Sequence, residues 1–152
     1  MRISAKADYA LRAMIELARA DEDKPVKGEL LARAQDIPLK FLENILGDLR
    51  HQGLVRSQRG ADGGYLLAKP AWAITVADII RGVEGPLAHV RGQRPEDVVY
   101  PDSAQALQRV WIAVRGAMRS VVERTTLADL ATGTLPTHVA ALASDPDSWL
   151  TR

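Results

Sequence analysis

Cysteine is absent from the 152 residues. That excludes disulfides, thiolate nucleophiles, thiolate zinc sites and cysteine-ligated iron–sulfur clusters together. The three histidines, His51, His89 and His138, lie too far apart in the chain to suggest a metal cage. No stretch approaches the roughly 18 uninterrupted apolar residues of a membrane span. The opening MRISAKADYALRAM has no apolar signal-peptide core, so a cytoplasmic protein is the expectation. Charge of one sign is also lacking: the formal balance is +1. Hydrolase, phosphate-loop and metalloprotease motifs (Gly-x-Ser-x-Gly, the Walker loop, His-Glu-x-x-His) are missing, and no residue set supports an enzyme.

What is present is an ordinary globular composition, 47% apolar and 26% charged, at a length that suits about one domain. The distribution of charge says more than its sum. Between Leu49 and Ala61 there is no acid, while Arg50, His51, Arg56 and Arg59 stand together. Phosphate binding leaves a footprint of this kind, and so does a solvated face.

The periodicity predicts a mainly α chain. Ser4 precedes Ala7, Ala10, Leu11, Met14, Leu17 and Ala18 at helical spacing, a serine-capped helix over 4–20. A short helix over 27–35 places Leu30, Leu31 and Ala34 on its apolar side. After the break at Asp36-Ile37-Pro38, a third helix over 38–52 buries Phe41, Leu42, Ile45, Leu46 and Leu49, and Gly53 ends it. Two strand-like runs, 54–59 and 65–68, flank a glycine-rich loop and predict a β-hairpin. The glycines at 60, 63 and 64 fit a turn better than a phosphate cradle, because a strand follows them rather than a helix. Three helices and a hairpin in this order spell a winged helix-turn-helix.

A further helix over 70–84 carries a Thr75-x-x-Asp78 start and a stripe of Val76, Ile79, Ile80 and Val83. The segment 85–102 reads as a loop and a candidate sensing region. From Ser103 to Arg124, residues Ala104, Leu107, Trp111, Val114, Met118 and Val121 make a heptad seam. Val110, Ala113, Ala117 and Val122 widen it. Such a stripe suits a dimerisation helix, although packing within one chain could also use it. Thr126 opens a short helix, and 132–152 reads as a loose tail that docks through Trp149. The expected divisions are therefore 1–84 for the winged helix, 85–102 for the loop, 103–131 for dimerisation and 132–152 for the tail.

In a helix-turn-helix the second helix of the motif meets base edges in the major groove. Subtracting the buried set from the third helix leaves Lys40, Glu43, Asn44 and Gly47 in one stripe, with Asp48 and Arg50 beside it. Lys40 suits phosphate or guanine, Glu43 suits cytosine N4, and Asn44 suits adenine. Arg56, Gln58 and Arg59 of the wing suit the backbone or the minor groove. The acids Glu43 and Asp48 repel phosphates, and they support a rival reading: a winged-helix protein–protein module without DNA binding. The carboxylate pairs Glu96-Asp97 and Asp145/Asp147 read as solvated loop residues.

The opening MRISAKADYALRAM, the run Ile37-Pro38-Leu39-Lys40-Phe41-Leu42-Glu43-Asn44-Ile45-Leu46-Gly47-Asp48-Leu49-Arg50 and the block from Gly53 to Ala68 resemble the Rrf-two family of bacterial regulators. Ile74 to Ile80, followed by Val83-Glu84-Gly85-Pro86, extends the resemblance over about residues 1–130. It implies a homodimeric winged-helix transcriptional regulator, a repressor or an activator, acting on an operator in double-stranded DNA. The glutamate matching Glu43 and the arginine matching Arg59 help to read the site in that family. Cluster-binding members carry three cysteines in the segment equivalent to 84–105, and this chain has none. The resemblance also matches Asp8 to an acidic ligand position, read here as a surface or cap residue. No cofactor is expected. Instead the loop offers His89, Arg91, Arg94 and Tyr100, a set suited to a small-molecule anion or an acidic protein effector, or simply to solvent. On the resemblance and the seam together, Leu107, Trp111, Val114, Met118 and Val121 are the candidate dimer interface.

Overall fold

A computed structural model describes residues 2–151. Its first helix, α1 (Ala5–Arg19), is capped by Ser4, whose side chain accepts from the Ala7 N–H. It buries Ala7, Ala10, Ala13, Met14 and Leu17, and the small alanines let neighbouring helices approach its axis closely. Against it pack α2 (Gly28–Gln35), α3 (Leu39–His51), α4 (Val76–Glu84) and α6 (Leu127–Thr132). Leu42, Ile45, Leu46 and Leu49 of α3 and Ile79 of α4 complete a core with no solvent exposure.

The wing is β1 (Val55–Gln58) and β2 (Gly64–Leu67), antiparallel, with Val55 opposite Leu67 and Gln58 opposite Gly64. Val26 adds a third line to it through paired backbone bonds with Tyr65, at 2.9 and 2.8 Å. Gly63 is required at the tip, since a Cβ there would lie 2.2 Å from the Gln58 carbonyl oxygen.

Two capping boxes face each other. Thr75 with Asp78 starts α4, and Thr126 with Asp129 starts α6. A backbone bridge joins Thr75 to Thr126, reinforced by Val76 N–H to Thr125 O at 2.9 Å and Leu127 N–H to Ile74 O at 2.8 Å. Between these anchored ends runs α5 (Gln105–Val122), the longest helix, with no buried residue.

Several expectations are corrected. Phe41 is 38% exposed; its ring meets Tyr9 edge-on at 5.7 Å, at the rim of the core rather than inside it. On α2 the inward residues are Leu31 and Ala32, whereas Leu30 and Ala34 face solvent. The stretch 70–84 is broken: a 3-10 turn (Ala71–Ala73) precedes α4, because Thr75 in extended backbone starts the helix afresh. On α4, Ala77 is buried and Val76 only half-buried. The tail is structured, with α7 (Thr137–Ser144) and a 3-10 turn (Pro146–Trp149). Trp149 does not dock on the core: it is 78% exposed and donates from Nε1 to the Ala143 carbonyl of its own tail at 2.7 Å.

Candidate nucleic-acid interface

The helix-turn-helix is set by a local device. Asp36 adopts a left-handed conformation (φ 51°) that ends α2. The Ile37 N–H then returns to the Ala32 carbonyl at 2.9 Å, and the Ile37 side chain is buried as a plug. Pro38 caps α3 without a side-chain bond, its fixed φ suiting the start of a helix.

Because Leu42, Ile45, Leu46 and Leu49 are locked inward, α3 has one rotational setting. Lys40, Glu43 and Asn44 are exposed in one stripe, with Gly47 half-exposed at its end. None of the three exposed side chains has an intramolecular hydrogen bond or ion pair among the described residues. Asp48 differs: its carboxylate is held by Lys6 Nζ of α1 at 2.7 Å. Sequence reasoning missed Lys6, and no local pattern announces it, because the pair joins two helices distant in the chain.

Arg50, near the end of α3, donates to the Ser57 hydroxyl of β1 at 3.2 Å and ties the recognition helix to the wing. Strand alternation turns Arg56 and Gln58 to the side opposite Ser57. Arg56 lines a cleft of about 310 Å³ shared with Asp21, Asp23 and Lys24. Arg59 is exposed next to the tip turn, where the Gly63 N–H reaches the Gly60 carbonyl at 3.0 Å. The structure thus gathers Lys40, Glu43, Asn44 and Arg50 on one helix, and sets Arg56 apart beside an acidic turn.

A scan of family models finds Rrf2, described as an iron-dependent transcriptional regulator, over residues 3–133. The chain belongs to the Rrf2 family. Among Rrf2 relatives, Rv1287 of Mycobacterium tuberculosis, whose name places it provisionally among HTH-type transcriptional regulators, is 54% identical over 145 residues. That match covers 95% of this chain and 90% of the relative. The HTH-type transcriptional regulator CymR of Bacillus subtilis is 40% identical, over 88% of this chain and 92% of its own. The solved structure of that CymR, the global cysteine regulator, superposes with a TM-score of 0.75 over 88% of this chain and 98% of that one. IscR of T. potens superposes at 0.70 with 30% identity, over 100% of this chain and 93% of that one. The chain is therefore a DNA-binding transcriptional regulator with a winged-helix fold, and not an enzyme.

The family description names iron, and the residues here do not fit an iron centre. There is no cysteine. Among the described residues no three histidine or carboxylate side chains converge. Asp8 lies in the first turn of α1, where its carboxylate pairs with Arg12 at 3.2 Å.

The loop residues do not share one site. His89 lines a largely apolar cavity of about 410 Å³ with Ile3, Ile80, Trp111, Val114 and Met118. Arg94 lines a second cavity of about 450 Å³ and Tyr100 a third of about 570 Å³. Arg91, at φ 53°, sits in a tight turn closed by mutual Val90 and Gln93 backbone bonds. On α5, Leu107 and Trp111 remain 38% and 36% exposed, and Val114, Met118 and Val121 are half-buried.

Proposed function

We propose that the protein is a homodimeric repressor that reads a pseudo-palindromic operator. In this reading α3 lies in the major groove, with Lys40, Glu43 and Asn44 at base edges. Arg50, Arg56, Gln58 and Arg59 hold the phosphate backbone on either side. The observation that carries it is the α3 stripe: three polar side chains, exposed and without partners among the described residues, on a helix whose rotation is set by four fully buried residues.

The second copy seats on α5. An 18-residue helix with no fully buried residue, and with Leu107 and Trp111 exposed, leaves part of its apolar face to a partner. The groove between that face and the start of α1 continues the same surface through Ile3 and Leu87. Two recognition helices related by a twofold axis then meet two half-sites one helical turn apart.

The rival reading, a protein-binding module, rests on the near-zero net charge and on the acids of α3. Lys6 neutralises one of them, Asp48, and leaves Glu43 as the single uncompensated acid of the stripe. A gel shift against the protein's own promoter, at low and high salt, separates the two. A discrete complex whose affinity falls steeply with salt supports DNA reading. No complex even at low salt supports the module.

A further inference from the structure

Arg94 belongs to a constellation that its loop neighbours do not share. The cavity of about 450 Å³ at the junction of α4, α5 and the loop between them is lined by Arg81, Arg94, Arg115 and Arg119, with Glu96 and Leu87 beside them. Arg81 comes from α4, Arg115 and Arg119 from successive turns of α5, and Arg94 from the loop. Arg115 is the most enclosed, its side chain 17% exposed, and its Nη1 meets Glu96 Oε2 at 2.5 Å. Glu123, outside the cavity, engages Arg81 and also Arg119, the latter at 3.6 Å. The Arg94 side chain makes no hydrogen bond or salt bridge among the described residues, while its carbonyl accepts from the Asp97 N–H at 3.0 Å and its charge acts on Glu96. Four guanidinium groups thus face two carboxylates, a surplus of two positive charges around one hollow.

Like charges gathered this way repel one another, and the two glutamates relieve only part of that repulsion. A guanidinium presents a planar fork that fits a carboxylate or a phosphate through two parallel bonds. Glu96 already shows the chemistry, as an internal carboxylate on Arg115. Pro86, Leu87 and Ala88 also line the cavity, and their uncharged surface suits a carbon skeleton. The volume lies within the range of small-molecule sites.

The geometry points to a binding site for a small organic polyanion, carrying two or more carboxylate or phosphate groups, between Arg81, Arg94, Arg115 and Arg119. Such a ligand displaces Glu96 from Arg115 and spans from α4 to α5. Helix α4 is packed in the body that carries α3, whereas α5 carries the seam. The ligand therefore ties the reading head to the dimerisation helix. That consequence for operator affinity rests on the function proposed above; the binding itself does not.

Calorimetric titration of the full-length protein without DNA tests it. Citrate serves as the polycarboxylate, fructose 1,6-bisphosphate as the phosphate ester and acetate as the singly charged control, all at matched ionic strength. Saturable binding of citrate or fructose 1,6-bisphosphate at millimolar concentration or below, with none for acetate, is expected, and the arm that saturates assigns the anion class. Arg94→Ala, which removes no side-chain hydrogen bond or salt bridge and so spares the fold, should weaken it about tenfold. Glu96→Gln, which removes the internal competitor, should tighten it, and Arg109→Ala, outside the cavity, should leave it unchanged. No saturation by either polyanion, or equal binding by the Arg94→Ala protein, overturns the site. Because no DNA is present, that failure leaves the operator reading standing. A missing gel shift beside saturable anion binding fails the operator reading alone.

Discussion

Lys6 of α1 holds the carboxylate of Asp48 on α3 at 2.7 Å, so an acid beside the recognition stripe is answered by a cation from another helix. Both side chains are partly exposed, and the pair contributes little to stability, about 0–1 kcal/mol. Its effect is on the field that DNA meets. Lys6→Ala should lower operator affinity with a nearly unchanged melting temperature, and Asp48→Asn in the same chain should restore most of the loss. If the double variant binds as weakly as Lys6→Ala, Lys6 touches DNA itself and the screening account fails.

Glu43 and Arg56 should fail differently. Removing a carboxylate that accepts from cytosine costs about 1–3 kcal/mol on the cognate site and relaxes preference at that base. Arg56→Ala, the loss of a phosphate contact, should weaken all sequences alike and reduce the salt slope by about one. Binding curves on cognate and scrambled duplexes at several salt concentrations decide it. Equal losses on both duplexes for Glu43→Ala would refute base reading.

The α5 face should make the proposed dimer sensitive to charge. Trp111→Asp or Val114→Asp places a carboxylate in the proposed apolar interface, where an uncompensated charge costs about 3–5 kcal/mol. Sedimentation should show a dimer for the parent chain at micromolar concentration and monomer for both variants. A monomeric parent chain removes the dimer, and two dimeric variants remove the seam.

The contact between the loop and α5 should loosen in acid. The Glu96 carboxyl is held below its ordinary value of 4.5, first by its own backbone N–H and then by Arg115. A depressed carboxyl contributes its stabilisation fully above the ordinary value and loses it as pH falls through the lowered one. Hydrogen exchange in residues 94–98 should therefore quicken below about pH 4.5 relative to the global acid response. Glu96→Gln should abolish that extra pH dependence; an unchanged profile would separate loop order from this ion pair.

The regulator should be blind to nitric oxide through any cluster of its own, since no thiolate exists to ligate one. Anaerobically purified protein should be colourless, with operator affinity unaltered by nitric oxide or mild peroxide. Stoichiometric iron with visible absorbance would overturn this.

Much of the reading head is written in neighbouring residues. The apolar positions of α3, the helix-ending Gly53, the glycine turn of the wing and the two Thr-x-x-Asp starts are short-range features. Helical period, turn strain and caps depend on residues within about one helical turn of each other, so the sequence by itself determined the order of helices, hairpin and exposed stripe. The cysteine count was equally decisive, because composition sets which ligands exist at all.

The remainder depended on which distant segments meet. Periodicity put Phe41 in the core, but Tyr9 holds it at the rim. The α5 seam is visible as a heptad, yet only the packed chain shows that its own core leaves that face partly uncovered. The sequence grouped His89, Arg91, Arg94 and Tyr100 by proximity along the chain. The fold parts them and unites Arg94 with Arg81, Arg115 and Arg119, and it gives Asp48 its Lys6. Charges have no periodicity that packing must respect, and their partners are chosen by how helices cross. The tertiary structure alone decided which of them share a site.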